Sequence, residues 1–339
     1  MTASDDLLSV HQLSVSFSTQ AGIARAVNQV SLGIRAGERL ALVGESGSGK
    51  TVTAMSLLGL VRGASITGQI RYRNRDLAAL SNKEWRSVRG REIGIVLQDP
   101  NASLNPTMRV RSQIFEALRL AGVTRERRQD EALGLLAKVG INDPAGILRA
   151  YPFQLSGGQQ QRVVISIALA QQPKLLIADE PTTALDVKVQ AQVLRLLLDL
   201  GEQQHMSILL ITHDLSVVAG FAERIAVMYA GRIVELGKTT TIFESPRHPY
   251  TQGLLRSTPR ADADQGARFD AIPGEVPPAT DLPSGCAFRS RCPFAQARCA
   301  AELPVLRDIN EAAHQVACHF AGELEHVKRP AAESSDATA

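Results

Sequence analysis

The sequence predicts an α/β fold with a parallel central sheet, and three short apolar segments carry this prediction. Residues 39–43, 174–178 and 207–211 are rich in strand-forming residues, and each segment runs directly into glycine or polar residues. Continuous apolar runs between turn residues are typical of strands that are buried on both faces of a parallel sheet. Functional groups gather at the carboxyl ends of such strands. The residues after the three segments are therefore the first candidates for a functional site.

A glycine-rich loop follows the first segment. It consists of Gly44, Glu45, Ser46, Gly47, Ser48, Gly49, Lys50 and Thr51. This loop matches the phosphate-binding pattern G-x-x-x-x-G-K-[ST] and lies between a predicted strand and a predicted helix, as the pattern requires. Its glycines allow successive N–H groups to face phosphate oxygens, while Lys50 neutralises the β- and γ-phosphates and Thr51 ligates Mg²⁺. The alternative is a glycine-rich turn with an incidental lysine, but the complete match favours nucleotide binding.

Two carboxylates and a histidine follow the other two segments. Asp179 and Glu180 end the second segment, and His213 follows the third after Thr212. Asp179 is placed to hold Mg²⁺ through water, and Glu180 to polarise an attacking water as a general base. Two adjacent acids could instead form a solvated turn, and a histidine at a strand end is usually a satisfied polar group. The shared position of these residues at parallel strand ends favours the functional interpretation.

A second candidate anion site stands at the start of another predicted helix, in the segment Leu155, Ser156, Gly157, Gly158 and Gln159. The free N–H groups and the dipole at a helix start favour an anion. Taken alone, Ser156 would be an ordinary N-cap. Because the phosphate loop already supplies one anion site, a second site in the same chain needs a separate role.

Two further residues are weaker candidates. Gln98 ends the apolar segment 94–97, and prolines at 100 and 106 predict that a loop rather than a helix follows it. A glutamine at this position can contact Mg²⁺ or the attacking water. Phe17 lies in the strand-forming segment 13–17, where an aromatic ring either belongs to the core or offers a stacking face.

These motifs together, over residues 17–213, resemble those of the nucleotide-binding subunits of ABC (ATP-binding cassette) transporters. The resemblance implies a P-loop NTPase fold of the cassette type, with a RecA-like core, an antiparallel β subdomain and a helical subdomain. It places this domain at residues 7–240, with the helical insertion at about 101–170. It implies roles for the candidates as follows: the Walker A loop at 44–51, the Walker B residues Asp179 and Glu180, the Q-loop Gln98, the D-loop at 184–186, the switch histidine His213 and the adenine-stacking Phe17.

The resemblance also implies partners. Ser156, Gly157, Gly158 and Gln159 match the signature, which in this family closes on ATP held by the partner subunit. Two ATP molecules would then lie between two cassettes, which are either identical or paralogous. In importers of this family, two membrane permeases and an extracytoplasmic solute-binding protein complete the assembly. The expected location is peripheral, at the cytoplasmic face of the inner membrane.

Composition limits the other possibilities. The chain has 37 basic and 34 acidic residues, a net charge of +3, so nucleic acid is not an expected partner. The apolar fraction of 44% is enough for packed cores. No apolar run approaches the roughly 20 residues that span a bilayer, and the polar, acidic start is unlike a signal peptide. A membrane role must therefore act through a partner.

The region after residue 240 differs from the rest of the chain, since it is rich in proline and contains all four cysteines. They are Cys286, Cys292, Cys299 and Cys318, separated by five, six and eighteen residues. Clustered thiols in a cytosolic ATPase favour a metal or cluster over disulfides. Four thiolates suit a [4Fe–4S] cluster or Zn²⁺, and His314 or His319 could replace one ligand of zinc. The alternative is four reduced thiols that help to pack a small lobe.

The same region resembles the extension of oligopeptide/dipeptide and nickel importer ATPases. The matching segments are 248–250, 273–277, 285–288 and 291–293. The resemblance implies a C-terminal extension at 241–320, and in some members an iron–sulfur cluster on four such cysteines. Residues 321–339 are polar and predicted to be a disordered tail.

The expected function is therefore ATP hydrolysis that energises the import of di- or oligopeptides. The runner-up is the same ATPase role for nickel or another small solute. A soluble redox-sensing ABC regulator is a further alternative, although intact Glu180 and His213 argue against it. Soluble ABC proteins of translation carry two cassettes, and those of DNA repair carry a long coiled coil. The sequence shows neither feature.

Overall fold

The computed structural model describes residues 6–183, 185–257, 272–310 and 313–323. Ala184 of the predicted D-loop and the predicted tail from residue 324 onward lie outside these ranges. The strands are β1 (Asp6–Thr19), β2 (Gly22–Arg35), β3 (Arg39–Val43), β4 (Ala64–Tyr72), β5 (Arg75–Asp76), β6 (Ile93–Val96), β7 (Leu175–Asp179), β8 (Ser207–Thr212), β9 (Arg224–Tyr229), β10 (Arg232–Lys238), β11 (Arg307–Asn310) and β12 (His314–Val316). The helices are α1 (Lys50–Leu57), α2 (Asn82–Val88), α3 (Pro100–Ser103), α4 (Val110–Leu120), α5 (Arg128–Lys138), α6 (Pro144–Arg149), α7 (Gly157–Leu169), α8 (Val187–Gln204), α9 (Leu215–Val218), α10 (Thr239–Glu244), α11 (Pro249–Ser257) and α12 (Ala297–Ala301).

The central sheet has the strand order β11-β12-β10-β9-β3-β8-β7-β6. Strands β9, β3, β8, β7 and β6 run parallel to one another, as the three apolar segments predict. Strand β8 shows why the centres of these segments are continuously apolar. Ile208 and Leu210 pack into the core on one face of the sheet, while Leu209 and Ile211 pack into the core on the other. Because both faces are covered, these four central positions all favour apolar side chains.

A separate antiparallel sheet covers one face of the central sheet. Its strand order is β2-β1-β4-β5, and β1 pairs antiparallel with both β2 and β4. Apolar side chains of these strands, such as Leu8 and Ile34, share a core with Leu57 of α1 and Leu209 of β8. The predicted antiparallel β subdomain is therefore present.

A group of helices, α3 to α7, lies between β6 and β7 and packs into the core on the opposite face. The prediction of a loop without a helix after Gln98 is wrong, because α3 forms a single turn there. The Asp99 side chain accepts a hydrogen bond from the Asn101 N–H, and Pro100 occupies the first helical turn. An N-cap aspartate followed by proline is a helix-start pattern, and proline costs little at that position because its missing N–H would have no helical partner.

The residues beyond 240 are more regular than their proline content suggests. Helices α10, α11 and α12 form there, and β12 pairs antiparallel with β10 of the central sheet. The Glu235 carboxylate of β10 is fully buried, and its Oε1 lies 2.7 Å from Nε2 of His314 in β12. The C-terminal residues thus extend the central sheet. Among the described residues, no helix has the length and hydropathy to span a membrane.

Candidate active site

The phosphate loop joins β3 to α1, and two of its glycines have the backbone conformations that only glycine adopts readily. Gly47 has φ of 77° and Gly49 has φ of 101°, which are left-handed values that other residues rarely adopt. A side chain at Gly49 would also collide with the backbone of Ala26. Gly49 is the N-cap of α1, so the first N–H groups of this helix border the loop. A helix start of this kind is suited to an anion.

Lys50 is held inside the curve of the loop. Its Nζ donates to the carbonyl oxygens of Gly44 at 2.7 Å and Glu45 at 2.9 Å. Burial lowers the pKa of Lys50, and the nearby carboxylates of Glu180, Asp179 and Glu45 oppose that shift. A buried ammonium on a loop of backbone amides can serve as a fixed counter-charge for phosphate.

Asp179 lies at the end of β7, next to Thr51. Its Oδ1 accepts a hydrogen bond from the Thr51 hydroxyl at 3.3 Å. Burial raises the pKa of the Asp179 carboxyl, while the bond from Thr51 acts in the opposite direction. The two residues present a hydroxyl and a carboxylate at one point, which are the hard oxygen ligands that Mg²⁺ prefers.

Glu180 is contacted by three other residues around the same point. Its Oε2 accepts hydrogen bonds from Nε2 of Gln98 and from the Thr183 hydroxyl, each at 2.9 Å. Its Oε1 lies 3.3 Å from Nδ1 of His213. The structure therefore brings Gln98, Glu180 and His213 together, as their strand-end positions predict. Thr183 also contacts Glu180. Its sequence position, after Thr182, does not mark it as a site residue.

The backbone of Glu180 is unusual as well. Its φ of 46° is left-handed, and its N–H donates to the carbonyl oxygen of Ile211 in β8 at 2.9 Å. A left-handed non-glycine residue persists only where its surroundings hold it, and such residues cluster at functional sites. The neighbouring strand thus fixes the direction in which the Glu180 side chain leaves the sheet.

Most of these residues border an open cavity of about 660 Å³, a volume typical of small-molecule sites, although Asp179 is not among the lining residues. The residues that line it include the predicted Glu45, Ser46, Gly47, Gly49, Lys50, Thr51, Gln98, Glu180 and His213. Leu254, Ser257 and Ala279 from the region beyond residue 240 also line it, and no sequence motif marks them. Phe17 is partly buried against the core below the antiparallel sheet and is not among the lining residues. Its adenine-stacking role stays a prediction.

The signature residues 156–159 do not line this cavity either. Ser156 is the N-cap of α7, where its hydroxyl accepts from the Gln159 N–H at 3.3 Å and its own N–H donates to Oε1 of Gln159 at 3.0 Å. Gly158 lies against the Val189 side chain of α8, where a Cβ atom would be too close. The signature therefore has a defined helix-start geometry but no contact with the chain's own phosphate cavity.

The four cysteines come together beyond the central sheet. Cys286, Cys292, Cys299 and Cys318 line one small cavity with Phe288. Burial raises the pKa of Cys292 and of Cys318 to about 11, and it also raises the pKa of Cys286.

The metal prediction for this region finds no support in the arrangement of its side chains. Within the described ranges, no group of three or more His, Cys, Asp or Glu side chains is arranged to hold a metal ion. His314 pairs with Glu235, and Nε2 of His319 lies 3.0 Å from the Glu302 carbonyl oxygen. What the structure gives is a common location for the four thiols.

Comparison with known proteins agrees with the fold and the loop. The family model for ABC transporters matches residues 27–183, and the model for the oligopeptide/dipeptide transporter C-terminal region matches residues 234–299. The dipeptide transport ATP-binding protein DppD of Escherichia coli K12 is 46% identical over 327 residues, which are 96% of this chain and 99% of that protein. The DppD protein of Bacillus subtilis 168 is 46% identical over 318 residues, 93% of this chain and 94% of that protein.

Solved structures show the same architecture. The dimeric, post-hydrolysis structure of the ATP-binding cassette MJ0796 bound to ADP and Pi superposes with a TM-score of 0.61 at 29% identity, over 68% of this chain and 98% of that one. The structure of cbiO1 from Clostridium perfringens, part of an ABC transporter complex, has a TM-score of 0.61 at 27% identity, over 71% and 91% of the two chains.

A parallel sheet with a phosphate loop at one strand end and an acid pair at another defines a P-loop nucleotide triphosphatase, and the matching family model places it in the cassette class. The chain belongs to the ABC transporter family, among the ATP-binding subunits that carry the oligopeptide/dipeptide transporter C-terminal region. The resemblance drawn from the motifs is confirmed.

Proposed function

We propose that this chain hydrolyses ATP to ADP and phosphate in order to energise the import of di- or oligopeptides. The observation that carries the proposal is the similarity of this chain, along nearly its whole length, to dipeptide transport ATP-binding proteins. The same similarity favours peptides over nickel or another small solute. The proposed assembly contains a second cassette, two permeases and an extracytoplasmic solute-binding protein, at the cytoplasmic face of the inner membrane.

The proposed ATP-binding domain spans residues 7–240. In it, the loop amides and Lys50 bind the phosphates, because they combine free N–H donors with a buried positive charge. Thr51, Asp179 and Gln98 would hold Mg²⁺, and the 3.3 Å approach of the Thr51 and Asp179 oxygens fits such an ion. The ion supplies charge neutralisation at the β- and γ-phosphates.

The proposed general base is Glu180. Its carboxylate borders the cavity, and its contacts with Gln98, Thr183 and His213 fix its orientation. A base must be oriented toward the water whose proton it accepts, so the neighbours that hold it contribute to the rate. Gln98 and His213 are the proposed orienting groups.

The proposed second half of each site comes from the signature of a partner cassette. Residues 156–159 start a helix, as an anion site requires, but lie away from the chain's own cavity. The related cassette MJ0796 has been solved as a dimer bound to ADP and Pi, which supports a paired arrangement. A partner's signature would then close the open cavity over the phosphates.

For the C-terminal extension at 241–320 we propose a [4Fe–4S] cluster on the four cysteines. The support is that all four thiols line one cavity and form a complete ligand set for such a cluster. Within the described residues no group of His, Cys, Asp or Glu side chains is arranged to hold a metal ion, so the proposal depends on the ligand chemistry of the four thiols. Binding of a cluster would have to release the thiol protons, since burial raises the pKa of these cysteines.

The transport proposal is tested with the complex in proteoliposomes. A solute-binding protein loaded with a dipeptide mixture should stimulate ATP hydrolysis several-fold over the empty binding protein, and labelled dipeptide should accumulate inside. The complex containing Glu180→Gln is the control for hydrolysis. Stimulation by nickel or another solute, with none by peptides, would contradict the substrate assignment.

A further inference from the structure

The phosphate loop is held from outside the motif by two residues of the C-terminal extension. The Glu45 N–H donates to the Tyr250 hydroxyl at 2.8 Å, and Nη1 of Arg291 donates to Oε2 of Glu45 at 2.9 Å. Glu45 is the second residue of the loop and lines the cavity. Its backbone and its side chain are therefore both fixed by residues that lie 205 and 246 positions further along the chain.

Arg291 is itself held rigidly. Its Nε donates to the Pro273 carbonyl at 2.8 Å, Nη2 donates to the Ile272 carbonyl at 3.2 Å, and Nη1 also lies 3.5 Å from the Tyr229 hydroxyl. The Arg291 side chain is only 5% exposed. A buried guanidinium whose other donors bind carbonyl oxygens has a fixed orientation. In Arg291 this orientation directs Nη1 toward Glu45.

Tyr250 is equally well placed. It is fully buried, and its ring centroid lies 4.6 Å from that of Tyr229 and 5.4 Å from that of Phe288. Phe288 and Arg291 belong to the same short loop of the extension. This loop thus packs against Tyr250 through one residue and pairs with Glu45 through another.

The charge of Glu45 explains why such a support is needed. An acidic side chain in a phosphate-binding loop would repel the phosphates, since like charges at close range disfavour one another. Arg291 compensates this charge with a direct, mostly buried ion pair. Within the described residues, Oε1 of Glu45 has no hydrogen-bond partner, so the carboxylate depends strongly on Arg291.

We infer that Arg291 and Tyr250 are positioning residues for the ATP site, which hold Glu45 and neutralise its charge so that the phosphate loop accepts nucleotide. The inference rests on the proposed ATP binding. It assigns the C-terminal extension a direct part in nucleotide affinity. It also means that the cassette motifs alone do not complete the phosphate site.

The test measures equilibrium ATP affinity and the KM and kcat of hydrolysis for the full chain. Arg291→Gln should weaken ATP binding roughly tenfold, as the loss of a charge-assisted hydrogen bond predicts, and should raise KM more than it lowers kcat. Tyr250→Phe, which keeps the ring packing, should weaken binding about threefold to tenfold. Glu45→Gln alone is measured as the reference for the double variant.

The discriminating variant is Arg291→Gln combined with Glu45→Gln. If Arg291 acts by neutralising Glu45, the second substitution removes the uncompensated charge and restores most of the affinity. A purely structural role for Arg291 predicts no rescue. The matched control is Arg298→Gln, which breaks the exposed 2.9 Å ion pair between Arg298 and Glu302 within the extension and should leave affinity unchanged.

The outcomes separate this inference from the proposed function. If the wild type binds ATP but Arg291→Gln and Tyr250→Phe bind it equally well, or if Glu45→Gln gives no rescue, the positioning role is wrong. If the wild type does not bind ATP and matches Lys50→Ala, the proposed function fails instead. Should Arg291→Gln not fold, Tyr250→Phe decides alone: weaker ATP binding supports the inference, and wild-type affinity overturns it.

Discussion

The Thr51 hydroxyl donates to Oδ1 of Asp179 at 3.3 Å, and this contact joins the end of the phosphate loop to the end of strand β7. The two residues are 128 positions apart in the chain. Parallel strands β3, β8 and β7 bring them together, because their carboxyl ends open on the same edge of the sheet. The phosphate loop and Glu180 therefore border one cavity.

Replacing Lys50 with alanine should lower ATP affinity by roughly 10²-fold, because the phosphates lose their buried counter-charge. Isothermal titration of the purified chain with ATP measures this change. Lys174→Ala is the control, since Lys174 is exposed and lies immediately before β7. Normal nucleotide affinity in Lys50→Ala would show that the loop does not bind the phosphates of ATP.

Glu180→Gln should lower ATP turnover by about 10²–10⁴-fold while ATP binding persists, because the amide cannot accept the proton of the attacking water. ATP-bound dimers should accumulate and be visible by size-exclusion chromatography. The exposed Glu202→Gln serves as the control. Turnover at the wild-type rate in Glu180→Gln would show that another group acts as the base.

Anaerobically purified protein should be brown and contain about four iron atoms per chain if the cysteines hold a [4Fe–4S] cluster. Iron analysis and the visible absorption spectrum measure this, and Cys318→Ser should lose the absorption. A colourless protein with one zinc per chain would show that the cysteines hold zinc instead of a cluster. A metal-free protein would leave four packed thiols as the correct interpretation.

The free energy of unfolding should fall as pH rises above about 10. Burial raises the pKa of Tyr72 to about 12 and also raises those of Tyr229 and Tyr250. An unfolded tyrosine ionises near pH 10, so between about pH 10 and 12 the unfolded state binds fewer protons than the folded state, and alkali favours unfolding. Denaturant titrations across this range measure the slope. Tyr72→Phe should make it shallower, and an unchanged slope would contradict the assignment.

Much of the site could be predicted from the sequence, because its residues follow short local patterns. Lys50, Asp179, Glu180 and His213 each stand directly after an apolar strand or its loop, and strand ends of a parallel sheet converge. The short helix at Pro100 escapes a prediction based on proline alone, because its start depends on the capping aspartate one residue earlier.

Other features depend on contacts that no local pattern contains. The pairing of Tyr250 and Arg291 with Glu45 joins residues more than two hundred positions apart. Strands β11 and β12 are only four and three residues long, so their addition to the central sheet is set by its open edge and not by their own periodicity.

We propose that each ATP is bound by the phosphate loop of one cassette and enclosed by the signature of another. Ser156→Asp is the decisive variant for this arrangement, because aspartate can still cap helix α7 but places a negative charge where the partner's phosphates would lie. With thermal unfolding matched to the wild type, ATP affinity of the isolated chain should stay within about twofold. Hydrolysis by the assembled cassettes should fall by roughly 10²-fold. A parallel loss of ATP binding by the isolated chain, or full hydrolysis by the assembly, would show that the signature does not act on ATP held by a partner.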